Sequence, residues 1–202
     1  MTDFCTVSQI EAFLQLTVPA GKLASAQRAI REATVAIKNY CGQVIEQVDH
    51  DTLVLDVVER CTRIYLPELP VLSVDEVLED TDLLVETDDY KLGQHGVLYR
   101  MGGYTWLCGV QAVTVEYSHG YATIPEDIQV VATRAAARAY QAGLRADEVE
   151  GVPGITSKTL GAFSVAFGGE GAQEGVLGAS AAPLLLKSER MVLDRYRPNQ
   201  GP

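Results

Sequence analysis

The stretch VTVEYSHGYATIPEDIQVVATRAAARAY, Val113–Tyr140, changes its hydrophobic period halfway along. As far as Tyr117, apolar and polar residues alternate, the period of a half-buried strand. Beyond Thr123 the apolar residues Ile128, Val131, Ala132, Ala135 and Ala139 recur at helical spacing. Between the two, Gly120 permits a turn. Thr123 and Glu126 have capping-box spacing, and Pro125 falls in the first turn, where a missing N–H does no harm. The stretch therefore predicts a strand that finishes at Tyr117 and Ser118, followed by a helix that starts after Thr123.

The same residues invite an enzymatic reading. Tyr117, Ser118 and His119 are consecutive, and Glu126 and Asp127 follow closely. Neighbours on a strand point to opposite faces, however, so Ser118 and His119 do not meet. No GxSxG is present to hold a nucleophilic serine. Carboxylates at a helix N-terminus are favoured by the helix dipole whether or not they do chemistry. A strand end and a helix cap account for these residues, and a small soluble hydrolase working through Tyr117–Asp127 stands as the alternative of a different class.

Toward the N-terminus, Ser8 and Glu11 predict a capped short helix through Leu16. From Gly21 to Cys41 the positions Leu23, Ala26, Ile30, Ala33, Ile37 and Tyr40 form one narrow stripe, in which the alanines allow a partner helix to come close. Gly42 suits the left-handed residue that ends such a helix. From Val44 the period becomes two. VIEQV, TLVLDVV, TRIYL, VLSVDEV, DLLVE, DYKL, GVLYRM, YTWL and AVTVEY are short β-type runs, separated by VDHD, LPELP and MGGY. The expected fold class is α+β: a small helical bundle (1–43 and 121–145) with an antiparallel β-rich insert (44–120) between its second and third helices. A Gly-rich arm (146–202) follows, with eight glycines between Ala146 and Ala182. Within it LGAFSVAFG reads as one strand over 160–168, and Ser180 and Pro183 introduce a last helix over about 183–196, with Leu184, Leu185, Ser188, Val192 and Tyr196 as its contacts.

Charge is unevenly placed. The chain carries −11 overall, but Val44–Tyr90 alone carries −12, with 14 acidic and two basic residues. Such a segment does not attract nucleic-acid phosphates. Arg134, Arg138, Gln141 and Arg145 share one face of the third helix, either as a solvated face or as a contact for an acidic neighbouring subunit. The composition is that of an ordinary soluble globular protein, with no apolar run long enough for a transmembrane helix and no signal-peptide pattern at the N-terminus. Cys5, Cys41, Cys61 and Cys108 are widely spaced without CxxC, so buried thiols are expected rather than disulfides or a zinc site. GVPGITSKT lacks the glycine before the lysine that a phosphate loop needs. EDTDLLVETDDY lacks the central glycine and final glutamate of a calcium loop. His50, His95 and His119 have no partner at ligand spacing. No catalytic, metal or cofactor-binding residue is assigned, and no cofactor is expected.

The order of these pieces is informative: a capped helix, an alanine-striped helix ending in NYCG, then LPELPVLSVDEV, YKLGQHGVLYRMGGYTW, the stretch quoted first, SKTLGAFSVAFG and LLLKSERMVLDRYRP. From about Ser8 to Pro198 this resembles the head-to-tail connector (adaptor, head completion) proteins of tailed bacteriophages, in the long form of actinobacterial siphophages. The resemblance implies a non-enzymatic virion protein of the neck, assembled in the host cytoplasm into a ring, commonly of twelve copies. Portal protein on one side, neck or tail proteins on the other, and genomic DNA passing through without sequence-specific binding are the implied partners, with no membrane. Another neck component, a stopper or a tail-completion protein, is the alternative within the class. Candidate interface residues are Leu160, Phe163, Val165 and Phe167 for strand addition, Arg134, Arg138 and Arg145 on the third helix, and Arg190, Arg195, Tyr196 and Arg197 near the C-terminus. Asp75, Glu76, Glu79, Asp80, Asp82, Glu86, Asp88 and Asp89 form a candidate acidic surface that lines either the channel or the exterior.

Overall fold

The computed structural model describes residues 2–150, 157–160, 163–166 and 184–198, with backbone only for 146–150 and the two short segments. The fold is α+β. Helices α1 (Val7–Leu14) and α2 (Leu23–Cys41) precede seven strands, helix α3 (Glu126–Glu150) follows them, and α4 (Lys187–Leu193) lies near the C-terminus. No helix among the described residues is long and apolar enough to cross a membrane.

Helix α1 begins one frame earlier than its sequence suggests. Thr6, not Ser8, is the N-cap, and its hydroxyl accepts from the Gln9 N–H while the Gln9 side chain accepts from Thr6 N–H. Glu11 is drawn elsewhere: its carboxylate accepts the N–H of Val18 at 2.8 Å. The helix stops at Leu14, with Gln15 left-handed, two residues short of Leu16. In α2 the centre of the expected stripe is buried at Ala26, Ile30, Ala33 and Ile37, but Leu23 is exposed and Tyr40 only partly covered. Gly42 ends α2 with φ +69°, as expected.

The chain divides into two compact units. One contains Asp3–Ala36 and Val130–Glu189. Here Val18, Ala26, Ala29 and Tyr140 pack with Val7, Leu14, Ala139 and Leu144. Helix α3 buries Val131, Ala132, Ala135, Ala136 and Ala137, small residues that permit close backbone approach. The remaining short strands are in this unit. β8 (Ser157–Leu160) and β9 (Phe163–Ala166) pair antiparallel, Leu160 opposite Phe163. The single strand expected over 160–168 is instead part of an antiparallel pair, in which SKTL (157–160) meets FSVA (163–166). Phe167, most of the Gly-rich span, and the expected helix start at Ser180 and Pro183 lie outside the described residues. The last helix begins at Lys187, later than expected.

The other unit contains Ile37–Gln129 and Arg190–Pro202. β1 (Val48–Val57), β7 (Gly109–His119), β3 (Val71–Glu79) and β4 (Asp82–Leu83) form one sheet in the order β1-β7-β3-β4. β2 (Arg63–Tyr65), β6 (Val97–Arg100) and β5 (Tyr90–Leu92) form a second in the order β2-β6-β5. Val57, Ile64, Leu66, Val77, Tyr90, Leu98, Trp106, Val113, Val115 and Tyr117 make its core. Two expected strands are not strands. VIEQV makes one parallel bridge, Glu46 to Tyr121, and only its last residue, Val48, enters a strand; at its start Glu68 accepts the Val44 N–H. YTWL is an irregular segment in which Trp106, 1% exposed, fills the core and Leu107 N–H donates to Glu79. Conversely, VDHD is not a break: β1 runs through it by bulging between Val48 and Asp51, with His50 at φ +53°.

The junction after β7 is tight. Gly120, at φ +88°, donates to Pro70 carbonyl at 2.9 Å, and a Cβ there would lie 2.3 Å from Glu46 carbonyl. α3 then starts at Glu126, so Pro125 stands just ahead of the helix rather than in its first turn, its carbonyl accepting from Gln129 N–H at 3.1 Å. Thr123 is consequently too far upstream to be its cap. Replacing Gly120 by alanine is expected to cost about 3 kcal/mol in urea denaturation, since both the backbone angle and the space are wrong.

All four cysteines are free, but only Cys5 and Cys41 are buried; Cys61 is half-buried and Cys108 exposed. Burial pushes the Cys5 and Cys41 thiols up to about 11. As pH rises through about 9 the unfolded chain ionises first, so these two thiols withdraw stability between about pH 9 and 11. At pH 8 a thiol reagent should label Cys108 quickly, and Cys5 and Cys41 only after unfolding.

Candidate functional site

The residues that opened the sequence analysis separate onto two faces of β7. Ser118 donates toward Asp75 Oδ2 at 3.4 Å, on the face that carries Glu116. His119 sits on the other face, 1% exposed, with its Nε2 3.3 Å from Asp51 and its ring 5.0 Å from that of Tyr117. Burial, then the charges of Glu68 and Asp51, raises the Tyr117 phenol far above its ordinary range. Serine and histidine engage different carboxylates, and the histidine is closed to solvent. This geometry does not assemble a nucleophile with its base.

The C-terminal segment is held within its own unit by polar and aromatic contacts. Tyr196 donates to Asp127 Oδ1 at 2.6 Å and stacks edge-on against Tyr121. Burial first, then that bond, raises the Tyr196 phenol well above the usual tyrosine range, so it stays a donor. Gln43 donates to the Tyr196 carbonyl, and Tyr40 donates to Asp194 at 2.6 Å. Arg190 and Arg197 both lie over the Tyr40 ring, at 5.8 and 5.6 Å. Arg195 is 3.5 Å from Asp127. All three arginines remain exposed, as does Met191. Four candidate interface residues therefore come together, and what brings them together is the chain itself.

In the helical unit, Arg138 is committed. It forms a two-pronged pair with Glu189, at 2.8 and 2.6 Å, and donates to the Leu184 carbonyl at 2.9 Å. Glu189 also accepts from Leu186 N–H at 2.9 Å. The glutamate side chain is 4% exposed. Arg134 and Arg145, on the same stripe of α3, are exposed.

The candidate acidic residues also divide. Glu76, Asp80, Asp82, Glu86 and Asp88 are exposed. Glu79 and Asp89 instead flank Arg100, with the Glu79 carboxylate at 3.2 Å from the guanidinium and the Asp89 carbonyl at 2.7 Å. The same guanidinium lies 5.6 Å from the Trp106 ring, which makes it a buried polar node beneath the loop that carries Trp106. Asp75 faces His50 across the sheet at 3.3 Å, and Glu116 faces it at 3.0 Å. That trio was not readable from spacing, since its members lie on three different strands.

Fold and surfaces together describe an α+β protein without an assembled catalytic centre among the described residues. The model of the head completion protein family matches residues 3–135, and the chain belongs to that family. No curated protein matches it. Among solved structures, its fold is similar to a chain from the neck of a native GTA particle computed with C12 symmetry. The TM-score there is 0.54 at 15% identity, covering 97% of this chain and 90% of that one. A chain from the virion of a native gene transfer agent (GTA) particle gives 0.51 at 15% identity over the same shares. One from the neck of an empty GTA particle, computed with C6 symmetry, gives 0.50 at 17%, covering 67% and 77%. At these identities the likeness is one of fold.

Arg138→Ala should destabilise the protein by about 2–4 kcal/mol, because it leaves a buried carboxylate without its counter-charge. Arg138→Lys should recover only part of that, as an ammonium cannot reproduce the two-pronged geometry. Urea denaturation midpoints of the two variants test this.

Proposed function

We propose that this chain is a structural subunit of the neck of a tailed-phage-like particle, forming with its copies a ring that joins portal to tail and extends the DNA channel. The observation that carries this reading is the family match over 3–135, joined to a fold likeness that runs along 97% of the chain to a chain from the neck of a native GTA particle computed with C12 symmetry. Twelve copies are the number this reading adopts, and no reaction is assigned to the chain. The protein takes its place in the virion neck, after assembly in the host cytoplasm.

A closed ring uses two different surfaces of each subunit. Exposed Arg134 and Arg145 on α3 supply one, and the exposed acids of 76–88 are suited to the other by charge. The strand Phe163–Ala166, already paired with β8 on one side, and the C-terminal arginines are the elements assigned to portal or tail contact. In this arrangement the β-rich part, 44–120, is the portion that carries acid, and the helical part is the portion that carries base.

Electron microscopy and light scattering of the protein mixed with its portal test the proposal. A portal-bound ring with about twelve times the 21.8 kDa chain mass is expected. A chain that stays monomeric and binds neither portal nor tail proteins overturns it. Arg134→Glu combined with Arg145→Glu should lower ring yield about tenfold at low salt while the monomer keeps its stability. Equal yields for variant and wild type would remove these residues from the interface.

A further inference from the structure

We infer that His50, Asp75 and Glu116 form a binding site for a divalent transition-metal ion of the zinc class, tying together the three strands β1, β3 and β7. The site is built by two β-bulges. β1 slips its register between Val48 and Asp51, and β3 slips between Val74 and Glu76, so His50 and Asp75 are both extra residues with no partner in the ladder. Each strand flanks β7, and each bulge turns its extra residue toward Glu116, which pairs with Thr52 on one side and Glu76 on the other.

The result is one imidazole nitrogen between two carboxylates. His50 Nδ1 lies 3.0 Å from Glu116 Oε1 and 3.3 Å from Asp75 Oδ2, and the three ligand atoms lie within 4.8 Å of one another. A tetrahedral ion with bonds of about 2.0–2.2 Å places its ligand atoms about 3.3–3.6 Å apart. Small adjustments of exposed side chains bring this set to that spacing. The side chain of His50 is 70% exposed, so a fourth position opens to solvent and takes water. An imidazole in the set favours zinc, nickel or cobalt over magnesium and calcium, which prefer oxygen ligands alone.

Positions are held from behind. Ser118 Oγ accepts from the His50 backbone N–H at 3.3 Å and reaches Asp75 Oδ2 at 3.4 Å, so one hydroxyl orients two of the three ligands. Two carboxylates that converge on one point repel each other, and a bound cation removes that repulsion.

The full-length protein, stripped with a chelator and carrying Cys108→Ser to remove the exposed thiol, should be titrated with Zn2+ by calorimetry at pH 7.5. One ion per chain is expected, with a raised thermal midpoint. His50→Ala and Glu116→Gln should each weaken binding about 100-fold or abolish it, while His95→Ala should not. Co2+ should give the visible bands of a four-coordinate nitrogen–oxygen site in the same proteins, and lose them in His50→Ala. Absence of saturable binding, or Zn2+ binding that survives His50→Ala, overturns the inference; in that case the trio is a hydrogen-bonded surface cluster.

Discussion

The absence of a side chain at Gly120 is the constraint on which the β-rich unit depends. Three segments meet there: the end of β7, the chain at Ile45–Gln47, and the Pro70 carbonyl ahead of β3. Gly120 N–H donates to Pro70, Tyr121 N–H to Ile45 and Gln47 N–H to Tyr121, each at 2.9–3.1 Å. A methyl group at Gly120 would push Glu46 away and break this set together, because the contact is with backbone and cannot be relieved by a rotamer. With the junction in place, β7 is fixed as the middle strand between β1 and β3, and α3 departs at a defined point. Without it, the period change in Val113–Tyr140 would mark an ordinary loop.

Both units use a second device, a charged side chain that ties down irregular backbone. Arg138 with Glu189 anchors the residues before α4, through the Leu184 carbonyl and the Leu186 N–H. Arg100 does the same in the other unit, holding the Asp89 carbonyl while its partner Glu79 receives Leu107 N–H. Backbone outside helix and sheet still has to place its polar groups, and buried ones left open cost about 1–3 kcal/mol each. A lone charge would be too costly to bury, so each node contains its own counter-charge. These arginines explain why segments without regular structure are nonetheless ordered.

What was legible in the sequence is what short-range physics decides. The strand-to-helix change, the alanine faces of α2 and α3, and Gly42 as a helix end follow from periodicity and backbone angle alone. The reading fails where two local signals compete or where the deciding partner is distant. Thr6–Gln9 and Ser8–Glu11 are overlapping capping frames, and only the Val18 N–H, which captures Glu11, separates them. VIEQV has strand composition but makes only a single bridge, to Tyr121, a partner 75 residues away. Asp-His-Asp looks like a turn signal, yet β7 continues beside it and the strand absorbs the misfit as a bulge. Arg138 and Glu189 are 51 residues apart, so no periodicity links them. The same limit hid the His50 trio, because cross-strand neighbours are set by register and bulges, which a single chain's pattern does not encode.

Charge also bears on how such subunits could surround DNA. The segment 44–90 carries −12, but part of that charge is engaged within the fold: Glu46 with Lys38, and Glu79 and Asp89 with Arg100. The exposed acids of the segment, Asp49, Asp56, Glu59, Asp75, Glu76, Asp80, Asp82, Glu86 and Asp88, make a smaller acidic surface than the sequence count implies. At physiological ionic strength the Debye length is about 8 Å. Such a patch repels phosphates that pass within that distance and is screened from those farther off. An acidic face can therefore lubricate a narrow channel but not a wide one. In a wide ring the same residues would act only on the surfaces that touch them. In the ring proposed above, channel width rather than the number of carboxylates would decide whether such a surface meets DNA.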